Sequence, residues 1–118
     1  MKYIICIGSN CNQTENINNA LNLLTQLFDI QSTEIIKTAP INTTKKWIYF
    51  NGLIQFSSDK DRNSIKAELK KIENEIGLPG SKEKGIIEID LDIIMIDNEI
   101  VSRDYYNFEH IQKLMPLL

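Results

Sequence analysis

Hydrophobic and polar positions along the chain alternate between a strand-like period and a helix-like period. Residues 2–8 form a short apolar run closed by a Gly-Ser-Asn turn, which predicts a first strand. Apolar residues then recur at helical spacing over 17–28, with Thr14 as the expected N-cap, and again over 65–76. A Gly-x-Pro stop follows the second stretch. These patterns predict two amphipathic helices.

Three further stretches have the composition of strands. Residues 32–38 alternate weakly, residues 49–57 are rich in aromatic and apolar side chains, and residues 86–96 form the longest strand-like run. Asp97-Asn98 after this run predicts a turn into a short hairpin, and residues 102–118 are expected to be a loop with a short closing segment. The order βαββαβ predicts an α+β fold, the ferredoxin-like sandwich, with an antiparallel sheet and two helices on one face.

Length and charge narrow the classes of protein that fit. A chain of 118 residues predicts a single domain, 1–118, and a net charge of -3 argues against a nucleic-acid-binding surface. No apolar run approaches the roughly 18 residues of a membrane span, and the N-terminal residues do not resemble a signal peptide. We therefore expect a cytoplasmic location without a membrane partner. The oligomeric state stays open.

The cysteine and histidine residues do not form the pattern of a metal-binding site. Cys6 and Cys11 lack the spacing and the companions of a zinc site, so ordinary unpaired thiols are expected. His110 is the only histidine, which excludes a site built from several histidines. The chain also contains neither a G-x-x-x-x-G-K-[ST] nor a G-x-G-x-x-G motif, so a Walker or Rossmann nucleotide site is not expected.

Two carboxylates in the last long strand are the main candidate for chemistry. Asp90 and Asp92 share one face because they stand two positions apart, while Leu91 and Ile93 face the other way. Two carboxylates about 7 Å apart suit Mg²⁺ or Ca²⁺, and Mg²⁺ held in this way usually completes its shell with water and substrate phosphates. Glu88 has the same parity, so a solvent-facing acidic stripe without any ligand is the alternative that the pattern leaves open.

Four short motifs follow one another in the chain: IGSN at 7–10, KTAP at 37–40, YFN at 49–51 and IDLDI at 89–93. Their order and spacing resemble those of the 6-hydroxymethyl-7,8-dihydropterin pyrophosphokinases of folate biosynthesis. The resemblance covers nearly the whole chain, and the fold of that family is ferredoxin-like. It implies transfer of pyrophosphate from ATP to the hydroxymethyl group of the pterin, with release of AMP.

The resemblance also implies roles for individual residues. Asp90 and Asp92 look like the catalytic pair that holds two Mg²⁺ ions against the ATP phosphates. Glu73 and His110 match a glutamate and a histidine of the family's ATP site and are expected to bind the nucleotide. Lys82 and Lys84 are expected to do so as substitutes for arginines that family members carry in the same loop. The residues that match the pterin-binding positions are Thr38, Pro40, Tyr49 and Asn51.

Three hypotheses about function stay open, and the second of them is motivated by a departure from the family pattern. The arginine that family members carry just ahead of the aspartate strand falls on Ile87, and lysine lacks the planar fork with which arginine grips phosphate. The protein is then an active Mg²⁺-dependent pyrophosphokinase, or a homologue that binds pterin or nucleotide without turnover. The third hypothesis is a ferredoxin-like interaction module whose sheet edge pairs with another chain.

Overall fold

The computed structural model describes residues 1–38 and 48–118, and within them the chain forms an open antiparallel sheet with helices. The predicted α+β class is therefore confirmed, while Pro40 lies outside the described residues. The strands are β1 (Lys2–Ser9), β2 (Gln31–Ser32), β3 (Ile36–Thr38), β4 (Tyr49–Ser57), β5 (Asp90–Ile96) and β6 (Glu99–Ile100). The α-helices are α1 (Gln13–Leu27), α2 (Arg62–Ile76), α3 (Asp104–Asn107) and α4 (Glu109–Leu114).

The sheet is organised around β1. Its strand order is β2-β4-β1-β5-β6, and β3 also pairs with β4. β1 pairs in antiparallel fashion with β4 along its whole length and with β5 from Tyr3 to Gly8. Because β1 has a partner on each side, its residues determine which positions of β4 and β5 lie next to one another.

The predicted strand at 32–38 is divided into β2 and β3. Thr33 accounts for the interruption: its backbone N–H donates to Leu53 O at 2.9 Å, while its hydroxyl oxygen accepts from Leu53 N at 3.0 Å. The side chain thus takes the place of a backbone acceptor, and the regular ladder resumes at Ile36 opposite Asn51.

One face of the sheet packs against the two long helices, as predicted. Tyr3, Ile5 and Ile7 of β1 project into this layer and are fully buried. α1 contributes Ile17, Ala20 and Leu24, and α2 contributes Ile65, Leu69 and Ile72. The apolar stripes predicted from helical spacing therefore form the larger core.

The start of α1 differs from the prediction. Asn12 rather than Thr14 is the N-cap; it has φ 43° and ψ 49°, and Asn16 N donates to its carbonyl oxygen at 2.9 Å. Asparagine tolerates this left-handed conformation better than most residues do. Thr14 already lies inside the helix.

The opposite face is covered by the C-terminal residues, for which the sequence predicted mainly a loop. Ile111 and Leu114 of α4 are buried against Ile4, Leu53 and Ile94. α3 and α4 are only four and six residues long, so neither is long enough to show a helical period in the sequence. This layer covers only part of the second face.

β5 is shorter than the predicted strand 86–96 and contains an irregularity. Its pairing with β1 shifts between Ile5, opposite Ile93, and Ile4, opposite Met95, so that Ile94 is an extra residue in a β-bulge. The predicted turn is confirmed: Asp97 and Asn98 have φ 52° and φ 75° and connect β5 to β6. In the described parts of the chain, no helix has the length and apolar character needed to cross a membrane.

The packing of α4 on the second face is testable by truncating one buried side chain. Ile111 is 1% exposed, so Ile111→Ala should lower the free energy of unfolding by about 2–5 kcal/mol. Leu117→Ala is the control, since Leu117 is 58% exposed, and it should change the value by less than about 0.5 kcal/mol. Urea unfolding of both variants measures the difference; equal small effects would show that α4 does not cover this face.

Candidate functional site

The uncovered part of the second face is polar, and three neighbouring strands contribute to it. Gly8 of β1 lies opposite Asn51 of β4 on one side and opposite Asp90 of β5 on the other. Cys6 lies opposite Asp92 on the same face, two positions along β1. The structure therefore places the carboxylate pair and Asn51 on the same side of the sheet.

Gly8 leaves the space in which the Asn51 side chain lies. A Cβ atom at Gly8 would stand 2.8 Å from Asn51 Oδ1, a distance that forces a rearrangement. Asn51 is 7% exposed, and its Nδ2 donates to Thr38 Oγ1 at 2.5 Å. The amide is thereby held over the sheet next to the end of β3.

Tyr49 and Thr38 complete this end of the second face. They lie opposite each other in the pairing of β3 with β4, and both are half-buried. Tyr49 also stands two positions from Asn51, so both side chains project to the same face. Three of the four expected pterin-binding residues, Thr38, Tyr49 and Asn51, are therefore adjacent.

Asp90 and Asp92 are half-buried and close enough to interact strongly. Burial raises the pKa of Asp92 to about 7, and the negative charge of Asp90 and a side-chain hydrogen bond between the two carboxyls add to this effect. Asp104 and Glu73 contribute further negative charge. The carboxylate pair is thus electrostatically unfavourable without a cation.

The donor set at this position fits Mg²⁺. Hard oxygen ligands suit this ion, which is typically held by one or two carboxylates and otherwise by water and substrate phosphates. Asp90 and Asp92 offer two partly accessible carboxylates, and their mutual repulsion would be relieved by a cation. Within residues 1–38 and 48–118, no group of three or more histidine, cysteine, aspartate or glutamate side chains is placed to hold a metal ion.

Cys6 lies beside the carboxylates without adding a reactive group. Burial raises the pKa of its thiol, and the negative charges of Asp92 and Asp90 act in the same direction. The thiol therefore stays protonated. Cys6 and Cys11 are both free, as expected from the sequence.

Glu73 connects α2 to the outer edge of β5 through a hydrogen bond. Its Oε2 accepts from Leu91 N at 2.8 Å, and Lys70 Nζ lies 3.7 Å from Oε1. Burial raises the pKa of Glu73, the neighbouring Asp90 has the same effect, and the hydrogen bond from Leu91 opposes both. Glu73 thus lies next to the carboxylate pair but reaches it from the helix side.

Asn10 holds the segment that precedes β5. Its backbone N–H donates to Ile87 O at 2.9 Å, its Oδ1 accepts from Ile87 N at 2.7 Å, and its Nδ2 donates to Gly85 O at 3.0 Å. These bonds explain why residues 86–88 do not continue β5. The Ile87 backbone is engaged by the end of β1 rather than by a strand partner.

The structure does not show the long acidic stripe that the sequence pattern left open, because Glu88 is buried. The residue is 6% exposed, and Leu78 N donates to its Oε1 at 3.0 Å. Hydrogen bonds from Ser81 and from Leu78 keep the pKa of Glu88 below its usual value although burial opposes them. Glu88 is therefore a structural anchor of the loop, separate from Asp90 and Asp92.

The expected nucleotide-binding residues are distributed around the site. Lys82 lies near Glu73 and Glu88, whose pKa values its positive charge lowers, and Lys84 is exposed. His110 is half-buried in α4, and burial lowers its pKa while Asp104 opposes the change. Asp104 also raises the pKa of Asp92, so its negative charge acts on both Asp92 and His110.

A pocket of about 360 Å³ opens beside Asp92, between α2, β5 and the segment after β6. Glu73, Lys82, Lys84 and His110 are not among the residues that line it. Apart from Asp92, the polar residues that line the pocket were not predicted from the sequence, because they come from separate elements and belong to none of the four motifs. These residues are Arg62, Lys66, Ser102, Arg103 and Asp104.

Comparison with protein-family models identifies a family for the chain. Residues 4–116 match the family model described as 7,8-dihydro-6-hydroxymethylpterin-pyrophosphokinase (HPPK). A search of curated proteins finds no match. The chain therefore belongs to the HPPK family, the pterin pyrophosphokinases of folate biosynthesis, as the resemblance indicated.

The pKa of Asp92 makes the stability of the metal-free protein depend on pH. Its pKa is about 7 in the folded protein, whereas an aspartate in an unfolded chain titrates near about 3.9. The folded state therefore binds this proton more tightly. The resulting stabilisation is complete below about pH 4 and is lost as the pH rises through about 7.

Asp92→Asn should remove this dependence. We expect the variant to exceed the wild type in stability at about pH 8 by roughly 1–2 kcal/mol, a value reduced because water screens the half-buried side chain. Urea unfolding in EDTA at about pH 5 and about pH 8 measures the effect. The control is Asp59→Asn at an exposed position. An unchanged pH slope in Asp92→Asn would contradict the assignment.

Hydrogen exchange at the Ile87 amide tests whether Asn10 holds the segment before β5. Asn10→Ala removes the side-chain acceptor of Ile87 N, so we expect faster hydrogen exchange at that amide and a loss of about 1–3 kcal/mol of stability. Asn19→Ala is a matched control at an exposed position of α1. Exchange at Ile87 that matches the wild type would mean that the loop is held by other contacts.

Proposed function

We propose that this protein transfers a pyrophosphoryl group from ATP to 6-hydroxymethyl-7,8-dihydropterin, with Asp90 and Asp92 as ligands of two Mg²⁺ ions. Membership of the HPPK family supports the reaction class. The placement of the carboxylate pair and of the expected pterin-binding residues on one face of the sheet supports the residue roles.

The observation that carries the proposal is the row Asn51-Gly8-Asp90 across three strands. Two inter-strand spacings separate Asn51 from Asp90 by about 10 Å between backbones. A bicyclic heterocycle bound at Asn51 fits this span with its hydroxymethyl group directed towards the carboxylates. Asn51 can donate to and accept from an amide-like ring edge, and Tyr49 adds apolar area beside it.

The reaction itself requires positioning and charge neutralisation. The hydroxyl oxygen of the pterin forms a bond to the β-phosphorus of ATP, the bond from that phosphorus to the oxygen bridging to the α-phosphate breaks, and AMP leaves. The hydroxyl proton is lost to solvent. Bound Mg²⁺ would neutralise the triphosphate and orient it. Asp90 and Asp92 hold that charge in place, while Asn51 and Thr38 orient the acceptor.

The pocket beside Asp92 is the proposed nucleotide site. Its volume of about 360 Å³ lies within the range of small-molecule pockets, roughly 300–1,000 Å³. Basic side chains line it together with the apolar residues Leu69 and Leu91, and this combination suits a ligand with both an anionic and an apolar part, such as a nucleotide. Glu73 lies near Asp90, and Lys82 lies near Glu73. Contacts of Lys82, Lys84 and His110 with the nucleotide remain predictions.

The finer fold assignment belongs to the same proposal. When β2 and β3 are counted as one interrupted strand, the elements follow the order βαββαβ and the four main strands lie side by side in the order 2-3-1-4. This order supports a ferredoxin-like sheet. α3, α4 and β6 are then additions after the last strand of the motif.

Measuring AMP release tests the proposal. Purified protein with ATP, Mg²⁺ and 6-hydroxymethyl-7,8-dihydropterin should release AMP only when the pterin is present. Asp90→Ala should lower the rate by on the order of a hundredfold or more, because the charge opposite the metal is lost. Asp29→Asn should leave the rate unchanged, since Asp29 is exposed, lies between α1 and β2, and does not line the pocket.

The same samples separate the other two hypotheses. Thermal stabilisation by ATP or pterin without AMP release would identify a homologue that binds without turnover. Absence of both stabilisation and AMP release would favour the interaction module. Pterin-dependent AMP release that persists in Asp90→Ala would contradict the role of the carboxylate pair.

A further inference from the structure

Both arginines of the chain lie at the rim of the pocket beside Asp92. Arg62 is the first residue of α2, and Arg103 lies between β6 and α3, so two separate elements bring them together. Both side chains are exposed, and among residues 1–38 and 48–118 neither forms an ion pair with a carboxylate. Their positive charge is therefore available to a ligand.

The floor of the pocket is apolar. Leu69 of α2 and Leu91 of β5 are buried beneath it, and Ile93 and Val101 are half-buried at its sides. A polyphosphate gains nothing from contact with aliphatic side chains, whereas a flat heterocycle buries apolar area there. Exposed guanidinium groups above an apolar floor are suited to cover the face of a planar ring.

The carboxylate pair and Arg62 lie near opposite ends of α2. Glu73 contacts Leu91 N beside the carboxylate pair, and Arg62 lies eleven residues earlier in the same helix, about 16 Å away at 1.5 Å per residue. A nucleotide whose phosphates lie at Asp92 therefore has its base towards the Arg62 end. The carboxylates and the arginines then contact different parts of one ligand.

We propose that Arg62 and Arg103 bind the base of the nucleotide by stacking their guanidinium planes on the purine above the apolar floor. This inference rests on the proposed ATP binding and adds the residues that recognise the base. Stacking of arginine on a base is a common mode of nucleotide recognition, in which the planar group matters as much as its charge. Neither arginine contacts the phosphates in this arrangement.

Two ligands that differ only in the nucleoside distinguish the roles. Calorimetric titration in the presence of Mg²⁺ compares ATP with inorganic tripolyphosphate, which lacks base and ribose. Arg62→Ala and Arg103→Ala should each weaken ATP binding by about tenfold and change tripolyphosphate binding by less than about twofold. Arg62→Lys keeps the charge but not the plane, so it should weaken ATP binding nearly as much as Arg62→Ala does.

Lys71→Ala is the matched control, because Lys71 is an exposed cation of α2 outside the pocket, and it should bind both ligands as the wild type does. Parallel losses of ATP and tripolyphosphate binding would overturn the inference, since the arginines would then hold phosphates. Full recovery in Arg62→Lys, or ATP binding unchanged in the alanine variants, would also overturn it. If the wild type binds neither ligand, the proposed nucleotide site itself fails.

Discussion

The register of β1 against its two neighbours is the constraint on which the rest of the structure depends. Gly8 lies between Asn51 and Asp90 because the backbone pairings of β1 with β4 and β5 are fixed. Ile5 and Ile7 enforce this register, since both are fully buried beneath the long helices. A slip by one residue would exchange the two faces of a strand. The apolar core therefore holds the polar site in position.

The arrangement of polar side chains at this end of the sheet lowers the stability of the folded state. Asp92 is held where burial and a neighbouring carboxylate both disfavour its charge, and the amide of Asn51 is buried over a glycine. Sites that act on ligands are commonly places where local preferences are not satisfied by the protein alone. Here the unsatisfied feature is negative charge, and a cation would relieve it.

The elements with strong periodicity could be predicted from the sequence. α1 and α2, the long strands and the turn at Asp97-Asn98 follow from local patterns, and the family motifs identified Asp90, Asp92 and Asn51 as candidates. Three features could not be predicted, because each depends on contacts between distant parts of the chain. These are the division of the second strand by Thr33, the burial of Glu88 and the meeting of Arg62 with Arg103.

The bulge at Ile94 divides β5 into two segments with different tolerance to change. Before it, every second residue belongs to the polar site; after it, Ile94 and Met95 both pack towards α4. An inserted or deleted residue between Asp90 and Ile93 would turn a carboxylate into the core. Beyond the bulge, an inserted or deleted residue would shift Met95 and Ile96 against β1 and change the connection to β6. A change of strand length at the carboxylate end of β5 would therefore disrupt the site, whereas a change beyond the bulge would leave Asp90 and Asp92 on their face of the sheet.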